Sequence, residues 1–179
     1  MSVLYFFGSA APPVHDVARP IADAQARGWD VCLGLTPTAA DWLSDQTSDL
    51  EQLTGHAVRA AYKRPGTADV WPSADVIAFA PATFNSINSW ALGLSSNFVI
   101  GVVAEAIGKG IPLVMMPCVN AAYVQHRQFE RSIAALREMG VHVLYGADGF
   151  EPNKPGQGRP SEYPWHLVVS AAEGIVGGE

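Results

Sequence analysis

Residues 76–88 read VIAFAPATFNSIN, an apolar run that gives way after Ala80 to small, hydroxyl and amide residues. The run Val76–Ala80 predicts a strand covered on both faces, because its residues are consecutively apolar rather than alternating with polar ones. Similar short runs recur along the chain, separated by longer helical patterns: Val3–Phe7, Asp30–Leu35, Val58–Tyr62, Leu113–Met116 and Val141–Tyr145. This alternation predicts an α/β fold in three layers, a doubly wound parallel sheet with crossover helices.

Apolar residues at helical spacing predict the crossover helices. We expect the first helix to have Asp16 as its N-cap, Pro20 in its first turn and Gly28 at its end. A later helix is expected to close at Gly140. The apolar stripes are Val14, Val17, Ile21 and Ala24 in the first helix, and Phe129, Ile133, Leu136 and Met139 in the later one.

The composition is that of one folded domain spanning residues 1–179. Apolar residues make up 49% of the chain and charged residues 16%, which excludes disorder. A net charge of −6 with 11 scattered Lys and Arg residues argues against nucleic acid or an anionic membrane as a partner. No apolar run reaches the roughly 18 residues of a membrane-spanning helix, and the N-terminus lacks the basic segment of a signal peptide. Cys32 and Cys118 are too few for a disulfide framework or a cysteine-based metal site, so we expect a soluble, reduced, cytoplasmic protein without a metal.

Ligands of a doubly wound sheet bind beyond the carboxyl ends of its strands. Gly8-Ser9-Ala10-Ala11 follows the first predicted strand, and its small residues would let a phosphate approach amides at a helix start. Thr36-Pro37-Thr38 follows the second strand and adds two hydroxyls. Both segments are equally typical of ordinary turns and caps, and neither contains the G-x-G-x-x-G pattern of a nicotinamide site. The Pro- and Gly-rich stretch 149–160 is the candidate lid of an active site.

Three further segments resemble the motifs of a known family. Residues 81–97, PATFNSINSWALGLSSN, resemble the P-A-S-A-N-T-x-N-K-x-A-x-G-I-x-D-N signature of the homo-oligomeric flavin-containing cysteine decarboxylases. Residues 117–127 are similar to the P-x-M-N-x-x-M-W-x-H-P motif of that family, with Asn120 and His126 in the matching places. Residues 156–162, GQGRPSE, are similar to the G-x-G-R-M-x-E end of its substrate-clamp loop. The family includes phosphopantothenoylcysteine decarboxylase and the lantibiotic peptidyl-cysteine decarboxylases.

The resemblance implies a flavodoxin-like subunit that binds FMN between the subunits of a homotrimer or a dodecamer. It assigns the FMN phosphate to Ser9 and Thr38 with help from Thr83, and it places Asn85 against the flavin and its ribityl chain. Asn120 would bind the substrate carboxylate through its amide and is the candidate catalytic residue. The candidate cofactor-binding residues are Gly8, Ser9, Ala10, Thr36, Thr38, Ala82, Thr83, Phe84, Asn85 and Asn88. The candidate clamp spans residues 149–162, with contacts from Gly158, Arg159 and Glu162.

The chain departs from the family at positions that bear on the chemistry. The family's catalytic histidine corresponds here to Thr67, and a threonine hydroxyl cannot act as a base near neutral pH. Tyr123-Val124 replaces the Met-Trp pair, and residues 149–157 lack the cysteine that re-reduces the intermediate in phosphopantothenoylcysteine decarboxylase. Any decarboxylation is therefore expected to be oxidative. His15 and Cys118 are left open between a place at the flavin and a solvated or packing role, whereas His126 is expected to support a helix start.

These features predict an FMN-dependent enzyme, decarboxylating or redox, with altered chemistry on a small thiol or carboxylate substrate or on a peptide thiol. The alternative is a non-catalytic FMN-binding regulatory or scaffold protein, because the base is missing. A flavin prenyltransferase shares the architecture but is disfavoured, since basic residues for a prenyl phosphate are scarce.

Overall fold

A computed structural model describes residues 1–177 of the chain. The strands are β1 (Val3–Gly8), β2 (Asp30–Leu35), β3 (Val76–Ala82), β4 (Leu113–Pro117) and β5 (His142–Val143). They form one parallel sheet in the order β2-β1-β3-β4-β5. The helices are α1 (Ala18–Ala26), α2 (Pro37–Trp42), α3 (Thr47–Thr54), α4 (Phe84–Ala91), α5 (Phe98–Lys109), α6 (Ala121–Val124), α7 (Arg127–Glu138) and α8 (Trp165–Val176), with short 3₁₀ helices at Pro12–Asp16 and Pro160–Glu162.

The core lies on both faces of the central strands β1 and β3. Every residue of β3 is buried, as expected for a parallel strand covered on both sides. The chain moves from β1 to β2 in one direction and from β3 through β4 to β5 in the other, so right-handed crossovers place the connecting helices on opposite faces. Helix α8 packs on α1, β3 and β4, whereas α4 packs on α5 and α7. The predicted three-layer, doubly wound sheet is confirmed.

The predicted strand Val58–Tyr62 is wrong. Only Arg59 pairs with the sheet, through a single bridge to Gly34 at the edge strand β2. The Arg59 guanidinium lies over the rings of Trp71 and Phe98, 4.9 and 4.2 Å from their centroids. This contact holds the segment at one point, and residues 61–70 beyond it are exposed loop.

The last strand is shorter than predicted. The sequence pattern spans Val141–Tyr145, but only His142–Val143 pairs with β4. The chain turns at Gly146, whose φ of +107° suits glycine, and Tyr145 forms a bridge with Phe150 instead. The turn brings the following loop back over the end of the sheet.

The predicted first helix is broken into the 3₁₀ helix Pro12–Asp16 and α1. Pro20 lies in the first turn of α1, as predicted, where the N–H that it lacks would have had no acceptor within the helix. Val17, not Asp16, is the N-cap residue of α1, so the predicted cap is wrong. The predicted helix ends are confirmed, since Gly28 and Gly140 follow their helices with φ of +90° and +88°. None of the helices within residues 1–177 is long and apolar enough to cross a membrane.

Gly34 on β2 lies where aromatic side chains leave no room for a methyl group. A Cβ there would come within 2.5 Å of the Phe7 ring and 3.4 Å of Trp71. We expect Gly34→Ala to lower the free energy of unfolding by about 1–3 kcal/mol, as overpacked core positions do. The matched control Gly108→Ala lies inside α5, where no atom beyond the adjacent residues and the nearby backbone of that helix is within 4 Å of the new methyl group, and should raise it by about 0.5–1 kcal/mol. Urea unfolding measures both effects, and a neutral Gly34→Ala would contradict this packing.

Candidate functional site

A cavity of about 1040 Å³ opens at the carboxyl ends of the strands. It lies where the strand order reverses between β1 and β3, the position at which doubly wound sheets bind ligands. Its walls come from the loops that follow β1, β2, β3 and β4, and from the segment between residues 149 and 164. The predicted ligand-binding edge of the sheet therefore contains a cavity of the size that organic ligands occupy.

Ser9 joins the two loops at the point of reversal. Its hydroxyl donates to the Pro81 carbonyl at 2.8 Å and accepts from the Thr83 amide at 2.8 Å, and its own amide donates to the Pro81 carbonyl at 2.9 Å. The residue is 1% exposed. That Ser9 holds a phosphate stays a prediction. In the structure, its hydroxyl connects the loop after β1 to the end of β3 and the loop that follows it. Next to it, the Ala10 amide has no acceptor among residues 1–177 and lines the cavity.

Two helices begin at the same end of the cavity. Thr36 is the N-cap residue of α2, with Pro37 in the first turn, and both Thr36 and Thr38 line the wall. Thr83 caps α4 by accepting from the Ser86 amide at 3.3 Å, and Thr83 lines the cavity too. The first amides of each helix have no acceptor within the helix. Such amides and hydroxyls bind anions without requiring a basic side chain.

The side chain of Asn120 is oriented by the helix that follows it. Its Oδ1 atom accepts from the amides of Ala122 and Tyr123 at 3.0 and 3.2 Å. The remaining NH₂ group has no acceptor among the described residues, and Asn120 lines the cavity. Asn120 therefore presents a hydrogen-bond donor, which is the group that a ligand carboxylate needs.

An aromatic pair forms another part of the wall. The rings of Phe84 and Tyr123 stack with centroids 4.7 Å apart, and His126 packs against Phe84 edge-on at 5.5 Å. The Tyr123 side chain remains 49% exposed. His126 accepts from the Gln128 amide through Nδ1 at 3.1 Å, which confirms its expected role at a helix start.

The segment 149–162 lines part of the cavity beside α6. The Asn153 carbonyl accepts from the Ala121 amide at 2.8 Å and thereby anchors the loop beside Asn120. The predicted clamp residues Gly158, Arg159 and Glu162 line the cavity, and Arg159 pairs with Glu162 at 3.3 Å. The structure adds lining residues that the sequence analysis missed, namely Glu151, Asn153 and Lys154. The sequence placed these residues in a Pro- and Gly-rich loop, but such a composition does not indicate which side chains line a cavity.

Most of the predicted cofactor residues meet in this cavity, namely Ser9, Ala10, Thr36, Thr38, Thr83, Phe84 and Asn85. Gly8, Ala82 and Asn88 are not among the lining residues. Gly8 and Ala82 end β1 and β3, where they are buried. The side-chain oxygen Oδ1 of Asn88 instead accepts from the Ser132 hydroxyl at 2.8 Å, which ties α4 to α7.

Several other predicted residues lie outside the cavity. Thr67 is in an exposed turn, where its hydroxyl donates to the Arg64 carbonyl at 2.7 Å. His15 stacks on Trp42 with centroids 5.7 Å apart and is not a lining residue. No histidine is among the residues that line the cavity within the described part of the chain.

Cys118 lines the cavity beside the buried Tyr163. Burial raises the pKa of the Cys118 thiol to about 11. Burial also raises the pKa of Tyr163 well above its usual value, and its hydroxyl lies 2.9 and 3.1 Å from the carbonyl oxygens of Met116 and Pro117. Both groups are therefore neutral near pH 7, and neither supplies a charge to the site.

Comparison with known proteins places this geometry in context. Residues 9–174 match the family model described as Flavoprotein, whereas a search of curated proteins gives no match. The chain is similar to an FMN-dependent cysteine decarboxylase, TvaF, from thioviridamide biosynthesis, with 21% identity over 99% of each chain and a TM-score of 0.75. It is similar to a PPC decarboxylase mutant complexed with pantothenoylaminoethenethiol, with 17% identity over 98% of each chain and a TM-score of 0.70. The chain is also similar to a dodecameric FMN-dependent UbiX-like decarboxylase from Escherichia coli O157:H7. The identity is 14%, the match covers 98% of this chain and 94% of that chain, and the TM-score is 0.71. At these identities the structural likeness establishes the fold.

The hydrogen bonds of the buried Ser9 hydroxyl can be tested by a substitution that removes them. Ser9→Ala removes the hydroxyl that donates to the buried Pro81 carbonyl and accepts from the half-buried Thr83 amide, and losing these two hydrogen bonds costs about 1–3 kcal/mol. We expect that loss of unfolding free energy by urea denaturation, with little change for the exposed control Ser95→Ala. Equal stability of the two variants would contradict the bridging role.

The raised thiol pKa values predict slow alkylation. Burial raises the pKa of Cys32 to about 12 and that of Cys118 to about 11. At pH 8 a free thiol of pKa ~8.5 is about a quarter ionised, but a thiol near 11 is only about 0.1% ionised. Iodoacetamide labelling at pH 8, followed by mass spectrometry, should therefore be at least tenfold slower in the folded protein than in urea. Labelling of folded Cys118 at the unfolded rate would show that its environment is not apolar.

Proposed function

The chain belongs to the flavoprotein family, and from that membership we propose that it is an FMN-dependent enzyme acting on a small molecule or peptide that carries both a thiol and a carboxylate. A flavin cofactor follows from the family itself, and FMN is the form that the similar decarboxylases use. The observation that carries the proposal is a single cavity lined by Ala10, whose amide has no acceptor among the described residues, by the starts of α2 and α4, and by the Asn120 donor.

The residues of the cavity fit FMN. Its phosphate would be held by the Ala10 amide, by the hydroxyls of Thr36, Thr38 and Thr83, and by the first-turn amides of α2 and α4. Asn85 would lie against the flavin and its ribityl chain. This mode of binding needs dipoles and shape rather than basic side chains, in agreement with the low content of Lys and Arg. Ser9 would act by holding the loops that present these donors.

A bound flavin would accept two electrons from the CH–SH group of a substrate, and the resulting C=S group would accept the electron pair left behind when a neighbouring carboxylate departs as CO₂. The chain's part is to bind and orient the substrate. Asn120 would donate to the carboxylate through its NH₂ group, and the segment 149–162 would cover the substrate and exclude water. The aromatic pair Phe84 and Tyr123 would provide an apolar wall.

No histidine is among the described lining residues, so none of them is a histidine that could take the proton of a substrate thiol. Thr67 lies in an exposed turn and cannot take a proton from a thiol. The substrate thiol would therefore have to ionise without that base. The same observation favours the second candidate function, a non-catalytic FMN-binding regulatory or scaffold protein. A flavin prenyltransferase remains the weakest alternative, because only Lys154 and Arg159 among the described lining residues are basic.

We further propose a homo-oligomer, a trimer or a dodecamer, that works in the cytoplasm as a single domain. The dodecameric state of one similar decarboxylase supports this assembly. Light scattering of the purified protein would measure its mass. A monomer at micromolar concentration would contradict the assembly and leave the cofactor proposal intact.

The decarboxylase proposal is tested by mixing FMN-loaded protein with cysteine or with peptides that end in cysteine, without oxygen. CO₂ release and loss of the oxidised flavin absorbance are followed together. We expect one CO₂ for each flavin reduced, because the loop 149–157 contains no cysteine to return electrons. Bound FMN without CO₂ release from any of these compounds would contradict the enzyme proposal and favour the regulatory one.

Asn120→Asp separates the two tasks of this side chain. The aspartate keeps an oxygen for the amides of Ala122 and Tyr123, so α6 remains capped. It removes the NH₂ donor and brings a negative charge to the substrate carboxylate. We expect retained flavin binding, unchanged thermal stability and a loss of at least 100-fold in kcat/KM for CO₂ release, the range in which like charges oppose binding. Activity within threefold of the wild type would show that Asn120 does not bind the carboxylate.

A further inference from the structure

The Arg59 guanidinium is fixed in place without a carboxylate partner. Its Cζ atom lies 4.9 and 4.2 Å from the ring centroids of Trp71 and Phe98, and its side chain forms no ion pair within residues 1–177. The residue is half-buried beside the edge strand β2. Stacking on two rings restricts the guanidinium before any partner arrives, so a carboxylate from outside the chain can pair with its planar fork at a low entropic cost.

More cations lie around Arg59 on the same surface. Lys63 pairs with Asp69 at 2.8 Å. The pKa of this carboxyl is lowered by that hydrogen bond and by the charges of Lys63, Arg59 and Lys109. The surface carries more cations than carboxylates, namely Arg59, Lys63, Arg64 and Lys109 against Asp69 and Glu105. Its net charge is therefore positive, in a chain whose net charge is −6.

Apolar side chains are exposed among these cations. Tyr62 packs edge-on against Phe98 at 5.7 Å, yet it is 60% exposed, and Val70 is 59% exposed. The loop between them is ordered by a turn, in which the Arg64 carbonyl accepts from the amide and the hydroxyl of Thr67 at 3.2 and 2.7 Å. Exposed apolar groups with a polar rim are typical of protein interaction sites. The basic surface is defined as Arg59, Tyr62, Lys63, Arg64, Val70 and Lys109.

A surface of opposite charge lies on α2, α3 and the turn between them. Residues 28–58 contain no Lys or Arg. The side chains of Asp41, Asp45 and Asp49 are exposed. Trp42 is 40% exposed and stacks on His15 with centroids 5.7 Å apart. The acidic surface is defined as Asp41, Trp42, Asp45 and Asp49, and it combines an exposed aromatic ring with carboxylates as the basic surface combines one with cations.

We propose that the basic surface of one copy of this chain docks on the acidic surface of the next copy, and that this contact joins the subunits of the homotrimer, alone or within a dodecamer. A contact between two different surfaces runs head to tail, and it closes into a ring when the rotation allows. Opposite potentials steer such surfaces together and fix their register. Because Pro37 and Thr38 at the start of α2 line the cavity, a copy docked at Asp41 and Trp42 would lie beside the candidate site. This inference rests on the homo-oligomer of the proposed function and adds the surfaces that form it.

The test mixes two variants that each lack the charges of one surface. Asp45→Asn with Asp49→Asn neutralises the acidic surface, and Arg59→Gln with Arg64→Gln neutralises the basic one. Sedimentation at micromolar concentration measures the mass of each. We expect each variant alone to dissociate at least tenfold more readily than the wild type. Their equimolar mixture should form a dimer at a concentration where each alone is monomeric, because one variant keeps the basic surface and the other keeps the acidic surface.

Two sets of controls separate this contact from folding and from total charge. Arg64→Gln with Lys109→Gln keeps Arg59 on its two rings, so it should weaken assembly even if Arg59→Gln lowers stability. Pairs of exposed residues on α7 are matched to the two variants in charge, namely Glu130→Gln with Glu138→Gln and Arg127→Gln with Arg131→Gln. These control variants should keep the mass of the wild type.

The outcomes distinguish this inference from the homo-oligomer on which it rests. Wild-type mass in both surface variants would overturn the docking surfaces and leave the proposed homo-oligomer standing. A mixture that stays monomeric would overturn the head-to-tail contact. Equal dissociation of the α7 controls would show a general charge effect and would also overturn the assignment. A monomeric wild type would overturn the homo-oligomer itself, and this inference with it.

Discussion

The hydrogen bonds of one buried hydroxyl set the shape of the candidate site. Ser9 connects the loop after β1 to the loop after β3 through Pro81 and Thr83, at the place where the strand order reverses. Because the two loops form two of the walls of the cavity, the separation of these walls depends on this bridge. The strands beneath them are the central, fully covered strands of the sheet, so the bridge has a rigid base.

The site recognises anions by two different means. At the end near Ser9, backbone amides and hydroxyls at helix starts supply dipoles, and no basic side chain is needed. At Asn120, the side-chain NH₂ group is a neutral donor that has no acceptor among the described residues. This division agrees with the proposal that the cavity binds the FMN phosphate and a substrate carboxylate. The neutral Cys118 and Tyr163 keep the remaining wall apolar.

Most of the sheet and part of the candidate site could be predicted from the sequence. Strands β1 to β4 are found because consecutive apolar residues reflect burial on both faces. The false strand at Val58–Tyr62 has the same apolar character, but the stacking of Arg59 on two rings is a tertiary contact that a local pattern does not contain. The family membership and the flavin cofactor are confirmed, since the resemblance depended on three motifs in order along most of the chain.

The individual side chains were harder to assign. Asn85 and Asn88 lie on the same helix, yet the first lines the cavity and the second bonds to Ser132 on α7. The occupied hydroxyl of Ser9 depends on contacts between segments far apart in sequence, which a local pattern does not contain.

The central claim is that this cavity binds FMN. An absorbance spectrum of the purified native protein, with the released cofactor identified by mass, tests it most directly. Bands near roughly 375 and 450 nm and released FMN are the predicted result, whereas a colourless protein that takes up no added FMN would contradict the account.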